Sequence, residues 1–244
     1  GGIGPTTGDA AIYGTAVKNG IQLAVDEINA AGGINGKQIE YKFEDDQADS
    51  EKSVNAYNTL KDWGMQALIG TTTSTPCTAV VEETHSDNMF QLTPSATAVD
   101  SIQYDNAFRM CFSDPNQGSA SADYIADNGI ATKIAVIYNS SDTYSTGIYQ
   151  KFAEEAKNKG LDVVAAEAFT ADQNKDFSVQ IQKAKDAGAE LVFLPIYYQE
   201  ASLILAQANK AGFTPKWFGC DGMDGILDLD GFDASLAEDL MFLT

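Results

Sequence analysis

Residues 134–160 read IAVIYNSSDTYSTGIYQKFAEEAKNKG. The first five, Ile134 to Tyr138, form a run too apolar to face water on either side, as expected of a strand covered on both faces. A polar loop through Asn139, Ser140, Ser141, Asp142 and Thr143 follows. Tyr149, Phe152 and Ala156 then recur at helical spacing until Lys159-Gly160 supplies a helix-ending glycine. Strand, loop, helix and stop make one β–α step, and the step repeats downstream. Leu161 to Phe169 reads as a strand, and Phe177, Ile181 and Ala184 as a helix closed by Ala187-Gly188. Leu191 to Ile196 is a strand, Ala201 to Ala211 a helix, Trp217-Phe218 a short strand, and Leu240 to Leu243 is strand-like again.

The same alternation runs upstream. Val17, Ile21, Ala24, Val25 and Ile28 predict a helix ending at Ala30-Ala31-Gly32-Gly33, and Ile39, Tyr41 and Phe43 alternate as in a strand. A helix through Val54, Tyr57 and Leu60, a buried strand Ala67-Leu68-Ile69-Gly70, a helix through Val80, Val81 and Thr84, and a strand Met89 to Leu92 complete the series. Strands alternating with helices of this length predict an α/β fold of parallel sheets with helices on both faces. The alternation breaks once, between Ser95 and Gly118, where polar, irregular text surrounds a strand-like Ala107 to Phe112, and a helix through Ala120, Tyr124 and Ile125 follows. The break predicts two doubly wound lobes, residues 1–115 and 116–244, joined by a crossover near Ser113 to Gly118.

Composition narrows the function classes. The 244 residues carry 15 Lys and Arg against 35 Asp and Glu, a formal charge of −20, and 44% are hydrophobic, enough for a packed core. The acidity repels phosphate backbones and anionic lipid, so neither nucleic acid nor a membrane surface is expected as a partner. Arg109 is the sole arginine, too little for a phosphate clamp. The longest nearly apolar run, Leu191 to Tyr198, is far short of the ~20 residues of a spanning helix. The first residue already sits in a glycine-rich turn, as expected of a chain trimmed at its start. Cys77, Cys111 and Cys220 are odd in number and far apart, which suits buried thiols rather than a disulfide framework or metal knuckle.

Catalytic and cofactor motifs are missing. The glycines of Gly1 to Gly8 do not spell GxGxxG, and there is no P-loop. His85, the sole histidine, falls on the helix after Pro76, where a surface or core role is expected. Glu44-Asp45-Asp46 reads as a solvated loop rather than a metal or acid–base site. No nucleophile stands next to a base, so no catalytic residue, metal or cofactor is expected.

Ligands of open parallel sheets bind beyond the carboxyl ends of the strands, so residues just after each strand are the candidates. In the first lobe these are the hydroxyl-rich Thr71-Thr72-Thr73-Ser74-Thr75-Pro76 and the loop Thr93-Pro94-Ser95-Ala96-Thr97. Hydroxyls and free N–H groups at a helix start suit a carboxylate, and ordinary N-capping is the alternative. The second lobe offers Tyr144 after one strand, Tyr197 and Tyr198 after another, and Asp221 after Trp217-Phe218. Aromatic walls with one carboxylate suit a cation, though Asp221 serves equally well to cap the following turn. An anion site and a carboxylate together fit a zwitterion, of which an amino acid is the simplest.

The sequence resembles the type I periplasmic binding proteins, in particular the leucine/isoleucine/valine-binding proteins of ABC importers. The stretch Ala24-Val25-Asp26-Glu27-Ile28-Asn29-Ala30-Ala31-Gly32-Gly33-Ile34-Asn35-Gly36 carries the resemblance most specifically. Ahead of it, Gly4-Pro5-Thr6-Thr7-Gly8 with Tyr13-Gly14 resembles the family's glycine-rich first loop, and Asp45-Asp46-Gln47-Ala48-Asp49, Ile69-Gly70 with its hydroxyls, Thr93 to Thr97, and Asp114 with Gln117-Gly118 follow in family order. The resemblance implies that Ser74, Ser95, Ala96 and Thr97 hold a ligand's α-carboxylate and part of its ammonium. It also implies that Asp221 holds the ammonium, and that Tyr13, Tyr144 and Tyr197 line the pocket.

It further implies a monomeric extracytoplasmic protein, periplasmic or lipid-tethered. Such a protein captures a small aliphatic amino acid, branched-chain or other, by lobe closure and delivers it to an ABC permease. A ligand-sensing ectodomain, or a binder of another small carboxylate or amide, is the alternative with the same fold; an α/β enzyme is a third. Two departures stand out. The family's acid at the position of Asp221 is often glutamate, and Ala48 and Thr73 stand where some relatives carry a disulfide. Family members also run considerably longer, so either the sequence is a piece of a longer chain or the first lobe keeps an exposed, unfinished face.

Overall fold

Strands that are apolar on both sides need cover, and helices flank each of the two sheets. A computed structural model describes residues 1–244. It divides into two compact units, Gly1–Phe112 and Ser113–Thr244. The division falls just ahead of the 115/116 boundary suggested by the polar stretch, because Ser113 already belongs to the second unit as the N-cap of its first helix, its hydroxyl accepting the Asn116 N–H.

Unit 1 contains β1 (Gly2–Gly4), α1 (Ala11–Ala30), β2 (Phe43–Asp45), α2 (Ser50–Trp63), β3 (Ala67–Ile69), α3 (Ser74–Ser86), β4 (Phe90–Thr93) and β5 (Ala107–Arg109). Unit 2 contains α4 (Asp114–Asp127), β6 (Lys133–Asn139), α5 (Thr143–Asn158), β7 (Asp162–Phe169), α6 (Ser178–Asp186), β8 (Leu191–Leu194), α7 (Tyr198–Lys210), β9 (Lys216–Gly219) and β10 (Met241–Phe242). The sheet orders are β2-β1-β3-β4-β5 and β10-β9-β8-β6-β7, with every pair parallel. Counted from its own first strand, each unit has the same order. Each therefore has one point where the chain reverses its direction of travel across the sheet, between β1 and β3 and between β6 and β8.

The cores follow the apolar periodicity. In unit 2, Ile134, Val136, Phe193 and Phe218 of the sheet meet Ala122 and Ile125 of α4 and Ile148 and Phe152 of α5, all buried. Burying each large side chain contributes roughly 1.5–3 kcal/mol. Helices α4 and α5 touch backbone to backbone at Gly118, where a Cβ would lie 2.5 Å from the Ile148 carbonyl oxygen. In unit 1, Ile3 and Leu68 pack on Tyr57, Leu60 and Val80.

Several expectations change. The strand read from Ile39 begins only at Phe43, since Ile39 is held by the Asn29 side chain, which bonds both its N–H and its carbonyl. Helix α1 forms, but its apolar stripe is largely uncovered: Val25 is buried, Val17 and Ile21 are half-buried, and Ala24 and Ile28 are exposed. Phe90 and Phe108 likewise stack on each other while remaining exposed. Of the cysteines, Cys77 and Cys220 are buried but Cys111 is only half-buried. His85 lies on the exposed surface of α3, stacked on Tyr104 at 3.9 Å between ring centroids.

The acidic run is not a solvated loop. Asp46 is 0% exposed, accepting the Ala48 N–H at 2.9 Å and the Ser53 hydroxyl at 3.0 Å. Burial, aided by the charge on Asp45 and opposed by those two hydrogen bonds, pushes its pKa up to about 6. Asp45 behaves oppositely. Its burial is outweighed by hydrogen bonds from the Thr7 hydroxyl and the N–H groups of Thr6, Gln47 and Thr7, which lower its pKa and tie the β1–α1 loop to the end of β2.

Because Asp46 is harder to ionise folded than unfolded, its contribution to stability is full below about pH 4 and is lost as pH rises through about 6. Asp46→Asn removes the charge but keeps an oxygen for Ala48. It is expected to stabilise the protein by about 1–2 kcal/mol at pH 8 and by far less at pH 5, read from urea unfolding midpoints at the two pH values. An equal effect at both pH values would contradict this.

Candidate functional site

Both reversal points carry candidate residues, and the reason is topological. Loops leaving two adjacent parallel strands toward opposite faces of a sheet open a crevice at the strand ends. In unit 1, β1 leads into the loop before Tyr13 in the first turn of α1, and β3 leads into Ser74, the first residue of α3. In unit 2, β6 leads into Tyr144 in the first turn of α5, and β8 leads to Tyr197, the N-cap of α7. Asp221 follows β9, the next strand over.

The unit 1 half is a hydroxyl and amide cluster. The Ser74 Oγ accepts the N–H groups of Thr97 at 3.1 Å and Ala98 at 3.2 Å, and lies 3.5 Å from the Thr97 Oγ1. Ser74, Ala96 and Thr97 are buried; Ser95 and Tyr13 are half-buried. The loop is braced from beneath. The Thr93 hydroxyl donates to the Thr71 carbonyl at 2.7 Å and accepts the Ala96 N–H at 2.9 Å. The N-cap Thr73 makes no side-chain cap bond, and its buried hydroxyl has no hydrogen-bond partner. Partial positive charge at the start of α3, beside hydroxyl donors, suits a carboxylate.

The unit 2 half is a carboxylate against aromatic rings. The Tyr144 hydroxyl donates to Asp221 Oδ1 at 2.6 Å and accepts the Gly222 N–H at 2.9 Å. The Tyr144 and Tyr197 rings stack with centroids 4.9 Å apart and planes 17° from parallel. Burial raises the pKa of Asp221, against the pull of hydrogen bonds with Tyr144, Gln117 and the Gly222 N–H. Burial and the Asp221 charge push the Tyr144 hydroxyl well above its usual value, so it stays a neutral donor. A carboxylate partly withdrawn from water, with its side open to an aromatic wall, is a site for an ammonium group.

The structure thus brings Ser74, Ala96 and Thr97 together in one unit, and Tyr144, Tyr197 and Asp221 together in the other. Two supporting residues escape the strand-end rule. Arg109, noted in the sequence only as the sole arginine, donates from Nη1 to the carbonyls of Thr97 and Ala98, each at 2.9 Å. Gln117 accepts the Asp221 N–H through Oε1 at 3.2 Å. Neither follows a strand that carries a candidate; only Gln117, within its Gln-Gly pair, had a sequence signal.

These features define a chain of two parallel α/β units with polar residues collected at their strand ends. The sequence profile of the family described as periplasmic binding protein matches residues 1–236, and the chain belongs to that family. It is 33% identical over 223 residues to a Leu/Ile/Val-binding protein homologue of Brucella melitensis, covering 91% of this chain and 60% of that protein. A leucine-, isoleucine-, valine-, threonine- and alanine-binding protein of Pseudomonas aeruginosa is 32% identical over 225 residues, with 90% and 59% covered. The chain therefore spans about 60% of the length of these curated relatives. Among solved structures, the branched-chain amino acid transporter substrate-binding protein LivJ of Streptococcus pneumoniae, in complex with isoleucine, superposes with a TM-score of 0.89. It shares 32% identity, over 99% of this chain and 69% of that one.

Arg109→Met would leave two carbonyls of the Thr97–Ala98 segment without their charged donor. The expected cost is about 1–3 kcal/mol of stability, with faster hydrogen exchange at the Thr97 and Ala98 amides than at β4. Unchanged exchange at those two amides would show that the guanidinium does not brace the loop.

Proposed function

We propose that the protein is an extracytoplasmic solute-binding protein that captures a small aliphatic amino acid and hands it to an ABC importer. The observation that carries this reading is the Asp221 carboxylate, half-buried, hydrogen-bonded by Tyr144 at 2.6 Å and flanked by the Tyr144–Tyr197 stack. In this reading the α-ammonium binds Asp221, and the aromatic rings take the adjoining apolar carbons. The hydroxyls of Ser74 and Thr97, with the N–H groups at the start of α3, take the α-carboxylate, and Ser95, Ala96 and Tyr13 complete that half. Membership of the family and the binding specificities named for the relatives from Brucella, Pseudomonas and Streptococcus support the ligand class. The family also supports an extracytoplasmic location and a permease as the receiving partner. No helix is long and apolar enough to cross a membrane.

The charge arithmetic favours a ligand that carries an ammonium group. An ammonium beside a carboxylate makes a charge-assisted hydrogen bond, stronger here than on an open surface because Asp221 is partly withdrawn from water. Ligand binding is expected to lower the pKa of Asp221 that burial has raised. Affinity for an amino acid should therefore be full where Asp221 is ionised and should fall as pH drops through a midpoint above the ordinary aspartate value.

Titration calorimetry with leucine, isoleucine and valine tests this. Asp221→Asn should weaken binding by several kcal/mol at pH 7.5 and abolish the acid limb. Undiminished amino-acid binding by that variant would sink the assignment. A thermal-shift screen of the common amino acids gives the side-chain preference, since a ligand at a hundred times its Kd adds about 2.7 kcal/mol.

A further inference from the structure

Gln117 has no place in the ligand set above, yet its surroundings are unlike those of an ordinary helix-surface glutamine. It is 2% exposed and lies in the first turn of α4. Its Oε1 reaches a residue 104 positions further along the chain, accepting the Asp221 N–H at 3.2 Å. Its own backbone is fixed, with the Gln117 N–H bonded to the Ser113 carbonyl at 3.0 Å in a turn capped by Ser113. The next residue, Gly118, sets the depth of α4 against α5, since any side chain there would strike the Ile148 and Phe152 backbone. Helix α5 in turn supplies Tyr144.

Two closely packed helices therefore hold the short turn at Asp221 by three bonds. Gln117 takes the Asp221 N–H, and the Tyr144 hydroxyl takes both the Asp221 carboxylate and the Gly222 N–H. The turn fits only as glycine at 222, where a Cβ would lie 2.7 Å from the Ile196 carbonyl oxygen and 2.8 Å from the Tyr144 hydroxyl. Aspartate has two side-chain torsions, so its carboxylate stands close to its own backbone and inherits any displacement of it. A charge–charge site must be held within about 0.5 Å to favour its ligand, and here the backbone is what must be held.

We infer that Gln117 is a positioning residue for the ammonium half-site: by fixing the Asp221 backbone it sets where the carboxylate stands, and so the preference for ligands that carry an α-amine. This rests on the amino-acid reading above. A glutamine that merely satisfied a buried N–H would affect folding alone and would leave that preference unmoved.

The test compares leucine with its des-amino counterpart 4-methylpentanoate on the intact protein. Gln117→Met keeps the volume and removes the side-chain amide, both the acceptor of the Asp221 N–H and the group that helps hold the Asp221 carboxyl pKa down. It should weaken leucine binding at least tenfold while changing 4-methylpentanoate binding less than twofold. Gln117→Glu keeps an oxygen for the Asp221 N–H and, at a pH where Asp221 is ionised in the variant, should retain most of the preference. Equal weakening of both probes by Gln117→Met, or no weakening of either, overturns the inference.

A second readout does not depend on the ligand or on the Met variant folding. The carboxyl carbon of Asp221, followed by NMR against pH, should titrate higher in Gln117→Glu than in wild type, because a second carboxyl now faces it. An unmoved titration shows that residue 117 does not govern Asp221 and overturns the inference. A wild-type protein that does not prefer leucine over 4-methylpentanoate would instead overturn the amino-acid reading, and the carboxyl titration would then decide the role of Gln117.

Discussion

In both sheets every strand runs in the same direction as its hydrogen-bonded neighbours, so all carboxyl ends collect on one edge. Parallel strands need a crossover between each pair, and most of the crossovers here are α-helices that pack on the sheets. Where successive crossovers leave for opposite faces, the loops part. Tyr13 and Ser74 flank the parting in the first unit, and Tyr144 and Tyr197 flank it in the second. The location of the candidate residues is a consequence of strand order before it is a matter of their chemistry.

Chemistry decides what those positions cost and what they offer. Ser74, Thr97 and Gln117 are polar and buried; hydrogen bonds offset the loss of water at Ser74 and Thr97, and Gln117 is held through its Oε1. Most of these partners are backbone groups, which a fold can place more accurately than flexible side chains. Asp221 is the costlier group, because it is a carboxylate whose charged form burial disfavours. The Tyr144 hydroxyl donates one of the hydrogen bonds that offset this, beside those with Gln117 and the Gly222 N–H. The buried carboxylate of Asp46 differs. Its two hydrogen bonds come from its own loop and helix, so it braces the β2–α2 connection.

The net charge of −20 belongs with this picture. A strongly acidic surface discourages association with phosphate and anionic lipid while leaving small zwitterions, which carry no net charge, unaffected. In the proposed reading, selectivity comes from a few fixed groups of opposite sign rather than from the field of the whole molecule. Arg109 illustrates the economy of basic groups: the sole arginine is spent on two backbone carbonyls beneath the Thr97 loop.

Much of this was readable from the sequence. The alternation of strand and helix, their approximate limits, the parallel class of sheet and the strand-end loops all follow from apolar periodicity and from glycine and proline stops, which act over a few residues. Periodicity misplaced the start of the strand at Phe43, because the Asn29 side chain outcompetes sheet pairing for the backbone of Ile39. It also suggested a wet loop at Asp46, because a run of acids does not reveal that its last member turns inward. What only the tertiary structure decided are pairings between residues far apart: Tyr144 with Asp221, Gln117 with the Asp221 N–H, Arg109 with the Thr97 and Ala98 carbonyls. A hydrogen bond depends on angstroms and angles that strand order, helix depth and loop path set jointly. Local sequence carries no record of that sum.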